Sequence, residues 1–238
     1  GLVEIVVTAD DVLNFGSMFV YRGDGGDTGD GDPILWMQDF GGGAYRTWVS
    51  SPAIADLDGQ PGAEIVVAAG DQLYAFHGDG STYWITDTVN IFETLTSPAI
   101  GNLDSDPEPE IVVNAGTFLE VRQHDGSLTW STNYQEEVNP PVLADLTGDG
   151  LLDILVTGWD DTVILYDYNY GSPQLVWSIN LPTSMGGTFG APAIADVDGM
   201  QPGGDPEPEV VVSSNGLLSV LNGSDGSLVW SIPLDPGN

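Results

Sequence analysis

"SPAIADLDGQPGAEIVV", Ser51–Val67, sets two apolar, strand-like runs on either side of a loop of acidic residues and glycine. The stretch returns three times: "SPAIGNLDSDPEPEIVV" at Ser97–Val113, "PPVLADLTGDGLLDILV" at Pro140–Val156 and "APAIADVDGMQPGGDPEPEVVV" at Ala191–Val212. The prolines that open the copies, Pro52, Pro98, Pro141 and Pro192, are spaced by 46, 43 and 51 residues. A period of this size marks a repeat architecture and decides the reading of the whole chain.

Outward from each acidic loop the pattern continues. A β-branched run such as Glu64–Val67 leads to a third run (Leu73–Phe76), an Asp-Gly turn and a fourth run that ends in tryptophan. Asp79-Gly80, Asp125-Gly126 and Asp225-Gly226 precede Trp84, Trp130 and Trp230 by the same interval, and Trp36 and Trp177 take that place in units with altered turns. Runs of Val and Ile bounded by Gly, Asp and Pro are strand signals, and Asp-Gly suits a tight hairpin. No helix-length amphipathic segment stands out. Four short strands per 40–50 residues predict an all-β fold, a β-propeller of four-stranded blades, rather than a solenoid with its shorter repeats. The expected organisation is one repeat domain over 1–238 with units at about 1–47, 48–93, 94–137, 138–187 and 188–238, four full and the first partial.

Charge narrows the function. The 238 residues hold 36 Asp+Glu against 3 Lys+Arg, a net charge of −33, and the cations are Arg22, Arg46 and Arg122. Such a chain is repelled by nucleic acid and by anionic membrane surfaces. It also repels itself on compaction unless cations neutralise it. There is no cysteine, which excludes disulfides and thiolate metal sites. No apolar run approaches the roughly 20 residues of a membrane helix, so no membrane insertion is expected.

The acidic loops share a register. Counted from the first polar residue, positions 1, 3, 5 and 9 are Asp56, Asp58, Gln60 and Glu64 in the first loop and Asn102, Asp104, Asp106 and Glu110 in the second. They are Asp145, Thr147, Asp149 and Asp153 in the third, and Asp196, Asp198, Asp205 and Glu209 in the fourth, which carries five inserted residues. Alternate oxygen side chains followed by a later carboxylate suit a hard cation with six to eight oxygen ligands, and a backbone carbonyl near position 7 adds another. Calcium fits better than magnesium, and zinc would want His or Cys, which the loops lack. Fifteen carboxylates crowded into four loops raise the free energy of folding unless a cation is present. Up to four Ca2+ sites are expected, with the second and fourth best formed, the first weakened by Gln60 and the third by Thr147.

This pattern, "PAIADLD" at Pro52–Asp58 with "EIVV" at Glu64–Val67, resembles the FG-GAP/VCBS repeats of integrin α-subunit propellers, propeller lectins and large secreted bacterial proteins, and Phe189-Gly190-Ala191-Pro192 matches the motif that gives the repeats their name. The resemblance covers nearly the whole chain. It implies a β-propeller with calcium between the first and second strands of each blade, in a secreted or cell-surface module for adhesion, recognition or extracellular structure.

Catalysis is not expected. His77 and His124 sit beside Asp-Gly turns and read as turn residues. There is no nucleophile elbow and no phosphate loop. Carboxylate pairs are too abundant to single out a glycosidase or lyase pair, although some polysaccharide lyases resemble this repeat type. A buried carboxylate beside an arginine would favour that enzyme; sugar-dependent retention would mark a lectin. The periodic tryptophans read as packing between blades, Arg22-Gly23-Asp24 as an ordinary turn, and Asn222-Gly223-Ser224 as a weak glycosylation sequon. Expected partners are an extracellular protein or glycan, or copies of the chain. The "EIVV" strand occurs five times but the "PAIAD" strand four, so the first unit lacks an inner strand. Missing backbone partners predict completion by a longer chain or by a neighbouring copy joined head to tail.

Overall fold

The computed structural model describes residues 4–10, 16–24, 33–41, 49–89, 96–134, 139–169, 171–181, 191–197, 199, 207–214 and 216–234. Among these there is no helix; the described chain is built of antiparallel strands in five sheets. The first sheet holds β1 (Glu4–Asp10), β2 (Gly16–Arg22) and β3 (Ile34–Asp39). The second holds β4 (Ala53–Ala55), β5 (Glu64–Ala69), β6 (Gln72–Phe76) and β7 (Thr82–Asp87); the third holds β8 (Ala99–Gly101), β9 (Glu110–Ala115), β10 (Phe118–Arg122) and β11 (Leu128–Asn133). The fourth holds β12 (Val142–Ala144), β13 (Asp153–Thr157), β14 (Thr162–Asn169) and β15 (Ser172–Asn180); the fifth holds β16 (Ala193–Ala195), β17 (Glu209–Ser214), β18 (Leu217–Asn222) and β19 (Leu228–Pro233). Each sheet is a meander in which consecutive strands pair, and each falls inside one of the expected units.

The β-branched runs are apolar at every position because they are covered on both faces. Ile65 and Val67 of β5 pack with Met18 and Val20 of the first sheet, while Val66 and Ala68 pack with Ile111, Val113 and Ala115 of the third. Val112 in turn packs with Ile154 and Val156, and Leu155 with Val210 and Val212. A period-two alternation that buries both sets of side chains reads as a continuous hydrophobic run. Burial then thins toward the fourth strand, the outer rim of each sheet.

The last strand of each sheet carries a device that recurs in all five. Its pairing slips by one residue just before the tryptophan, so that Trp36, Trp84, Trp130, Trp177 and Trp230 sit opposite Val20, Ala75, Val121, Leu165 and Val220. Such a bulge re-aims the side chain that follows it. Trp36, Trp84 and Trp177 reach the β-turn of the next sheet and donate Nε1–H to the carbonyls of Gly78, His124 and Gly223, each at 2.9 Å. The indole covers a glycine there: a Cβ at Gly126, whose φ is +83°, would lie 2.9 Å from Trp84 Cδ2. Trp130 instead meets the Tyr166 ring, with centroids 5.9 Å apart, where the fourth sheet has a longer hairpin. Trp36, Trp84, Trp130 and Trp177 therefore join sheet to sheet, as their recurrence suggested, whereas Trp230 on the fifth sheet is exposed. The sequon lies in one of these turns, where Asn222 Oδ1 accepts from the Ser224 amide and hydroxyl.

The row of sheets has two ends. Ile5 and Val7 are exposed on the first sheet, and Leu228, Trp230 and Ile232 on the fifth. Among the described residues no strand of the fifth sheet pairs with the first, and the first sheet has three strands.

Candidate metal centres

Each acidic loop joins the short first strand of its sheet to the second. In all four, position 9 opens the second strand as a buried carboxylate: Glu64, Glu110, Asp153 and Glu209 are 3%, 0%, 1% and 2% exposed. One oxygen of each accepts the amide of position 2. Leu57 donates to Glu64 Oε2 at 2.8 Å, Leu103 to Glu110 Oε2 at 2.7 Å, Leu146 to Asp153 Oδ2 at 2.7 Å and Val197 to Glu209 Oε2 at 2.7 Å. Position 1 bonds back within the loop: Asp56, Asp145 and Asp196 accept from the amides of Gly59, Gly148 and Gly199. Position 3 does likewise in the first two loops, where Asp58 accepts from Gln60 and Asp104 from Asp106. These local bonds curl the loop and turn its oxygens to one side.

The loops differ in what meets the second oxygen of position 9. In the second loop nothing in the protein does. Glu110 Oε1 and Asn102 Oδ1 are both buried without a hydrogen-bond partner, while Asn102 Nδ2 donates to the Asp106 carbonyl. Asp104, Asp106 and Glu110 each bring a carboxylate oxygen within 4.8 Å of the others. Burial, with the charges of Asp104 and Asp106 adding to it, pushes the Glu110 carboxyl up to about 7, against the Leu103 amide bond, which lowers it. Buried oxygens without partners cost free energy, and a hard cation is what an Asn carbonyl and three carboxylates would take. The donor set fits calcium.

In the third loop the oxygens are already engaged. Asp153 accepts from the amides of Leu146 and Thr147 and from the Thr147 hydroxyl, and Asp145 accepts from Gly148 and Gly150. Burial still pushes Asp153 up to about 6. Asp149 is exposed and accepts from the Leu151 amide. In the fourth loop Asp196 and Glu209 are described, and Asp198 and Asp205 lie outside the described residues. In the first loop Asp56 and Gln60 are exposed, and Asp58 and Glu64 converge with a residue the loop itself does not contain, His77.

Another buried carboxylate stands apart from the loops. Glu120 pairs with Arg122, whose Nε and Nη2 lie 2.7 and 2.6 Å from Glu120 Oε2. Arg122 also donates to Thr86 Oγ1 and to the carbonyls of Gly126 and Asp87, and the Val89 amide donates to Glu120 Oε1. The side chains are 3% and 0% exposed, and the pair ties the third sheet to the edge of the second.

Five antiparallel sheets in sequence, four of them with an acidic loop between their first two strands, define an all-β repeat protein of propeller type. Residues 145–199, from the third acidic loop into the fourth, match the FG-GAP-like repeat family that the loops resembled. No curated protein matches the chain in sequence. Among solved structures it is similar to BBS1N in complex with ARL6DN (TM-score 0.63, 16% identity, covering 98% of this chain and 65% of that one). It is also similar to the V. cholerae biofilm matrix protein Bap1 (0.54, 13%, 98% and 61%) and to the rhamnogalacturonan lyase YesW (0.59, 13%, 97% and 56%). At these identities the likeness is one of fold, and the chain spans less than two thirds of the length of each.

Proposed function

We propose that the chain is a calcium-stabilised, non-enzymatic propeller module that acts outside the cell or at its surface, in adhesion, recognition or extracellular structure. The observation that carries the reading is the second loop, where Asn102 Oδ1 and Glu110 Oε1 are buried without partners and the Glu110 carboxylate converges with those of Asp104 and Asp106. Extracellular calcium is abundant enough to fill even weak oxygen sites of this kind, and the net charge of −33 gives the fold reason to recruit cations. Asn102, Asp104, Asp106 and Glu110 would hold one ion. Asp196, Asp198, Asp205 and Glu209 would hold another, and Asp145, Asp149 and Asp153 a third once loop bonds are exchanged for the ion. The partner is an extracellular protein or glycan.

The buried Glu120–Arg122 pair is the feature that would favour a polysaccharide lyase of the same fold. Its charged atoms are spent on each other and on neighbouring backbone, and it is closed to solvent. That is a latch between sheets rather than a place for a substrate. A further reading, copies joined head to tail, is favoured by the two open ends: the exposed Trp230 of one copy would seat on the exposed Gly23–Asp24 turn of the next, as Trp36 seats on Gly78–Gly80.

The test of calcium is a melting curve with calcium and after thorough chelation. Each site bound only by the folded state adds RT ln(1 + [L]/Kd), about 2.7 kcal/mol at 100-fold excess over Kd. The chelated protein should melt well below the calcium-loaded one. An unchanged curve would reject calcium as a structural ion.

A further inference from the structure

The first loop departs from the other three in one residue that lies outside it. His77 begins the β6–β7 turn, its amide bonded to the Ser81 carbonyl at 2.9 Å. Its Nδ1 lies 3.1 Å from Glu64 Oε1, and a carboxylate oxygen of Asp58 completes a trio whose atoms are all within 4.8 Å of one another. We propose that the first loop is a mixed nitrogen–oxygen site, in which His77, Asp58 and Glu64 hold a borderline divalent ion, zinc, in preference to calcium. The inference rests on reading the acidic loops as cation sites.

Three observations support it. The first is geometry. Ligand bonds of about 2.0–2.2 Å at the tetrahedral angle place neighbouring donors on one zinc ion about 3.3–3.6 Å apart. That is a few tenths of an ångström beyond the 3.1 Å hydrogen-bond separation of His77 Nδ1 and Glu64 Oε1, so the pair need open only slightly to admit an ion. The second is that the donors are held. Glu64 is buried, and its other oxygen is taken by the Leu57 amide, so Oε1 is turned to the imidazole. The imidazole rests against the Tyr83 ring, with centroids 4.9 Å apart, and remains partly open to solvent, which leaves a path for an ion. The third is the contrast with the second loop. There Gln123 occupies the place of His77, with the same amide bond, to Ser127, and its side chain turns to Thr129. Glu110 Oε1 is left without a partner. One backbone frame thus presents oxygen alone in the second loop and nitrogen with oxygen in the first. Calcium prefers the former, and imidazole draws zinc to the latter. With three protein donors, the fourth position of a zinc ion would fall to water.

The experiment is calorimetric titration of the full chain, without a polyhistidine tag, with zinc in saturating calcium. One zinc equivalent is expected, and His77→Gln, which removes a ligand, should weaken it at least about tenfold, the lower end of what losing even an outer-shell partner typically costs a metal site. His124→Gln, the same exchange one sheet on, should leave it unchanged. Far-UV circular dichroism checks that both variants fold. The wild-type chain also reports directly, because it has two histidines. One equivalent of zinc should shift one set of imidazole ring-proton resonances, that of His77, and leave the His124 set in place. Zinc binding that survives His77→Gln, or imidazole signals that ignore zinc, would overturn the proposal. Calcium titration of Asp104→Asn, read at the second loop, tells whether the calcium reading stands or falls independently.

Discussion

Two tryptophans in equivalent registers should behave as opposites when removed. Trp177 is 8% exposed, donates to the Gly223 carbonyl and covers Gly226, where an added Cβ would lie 2.8 Å from its ring. Trp230, opposite Val220 as Trp177 is opposite Leu165, is 42% exposed. Trp177→Ala deletes a seated indole and leaves a carbonyl without its donor, a loss of about 3–5 kcal/mol. At about 2–4 °C per kcal/mol for a chain of this size, the melting point should fall by roughly 10 °C. Trp230→Ala on an unseated side chain should cost under about 1 kcal/mol. The assay is thermal and denaturant unfolding of both variants in dilute protein, with light scattering across a concentration series. If copies join head to tail, wild-type mass rises with concentration and Trp230→Ala abolishes the rise. A Trp230→Ala loss as large as that of Trp177→Ala, in protein that scatters as a monomer, would refute the open end. It would mean that Trp230 is seated within its own chain.

The loops should differ in their need for the ion. Asp104→Ala removes a charged donor beside two unpartnered oxygens and should weaken calcium binding by titration calorimetry, whereas Gln60→Ala, at an exposed position, should leave it nearly unchanged. Metal-free protein should lose stability as pH rises. Burial lifts Glu110 from 4.5 to about 7 and Asp153 from 3.8 to about 6, so the fold keeps protons the unfolded chain has released. That stabilisation is complete below the unfolded values and is lost as pH rises through the folded ones. Chemical denaturation between pH 4 and about 7.5 should show the decline without calcium and a flatter profile with it. Finally, Gln123→His should give the second loop the donor of the first, adding a second zinc equivalent and weakening calcium there; an unchanged zinc stoichiometry would count against the role given to His77.

Much of this was legible in the chain. The strands, the acidic loops between first and second strands, and the tryptophan period all follow from "PAIADLD…EIVV" and its copies, because each is a local pattern of side chains. The bulge before each tryptophan was not, since a one-residue slip at Leu35, Tyr83, Thr129, Val176 or Val229 leaves no mark in alternation. The amides of Leu57, Leu103 and Leu146 were hidden for another reason: a backbone donor has no signature in sequence. His77 could have been found. In the β5–β6 hairpin Ile65 pairs with Phe76, so residues 64 and 77 flank that pair, and a carboxylate beside an imidazole follows from register alone. The Glu120–Arg122 latch needs the neighbouring sheet, whose approach no single repeat encodes.

Position 2 explains why the first three loops, unequal in composition, keep one shape; in the fourth, Val197 makes the same amide bond to Glu209 but its side chain is exposed. Leu57, Leu103 and Leu146 each bury their side chain in the core between sheets while their amide holds the position-9 carboxylate. The loop is therefore anchored by an apolar contact and a charge-assisted hydrogen bond before any ion arrives, and such bonds are the stronger kind. A cation added to this frame meets oxygens already in place, so less of its binding energy is lost to ordering them. What then varies is the group that faces the free oxygen of position 9: an imidazole in the first loop, nothing in the second, the Thr147 hydroxyl in the third. The repeat specifies the frame, and single substitutions outside its most regular positions set what the frame can hold. Loops that look like weakened copies of one calcium site would then be sites of different chemistry built on the same carboxylate.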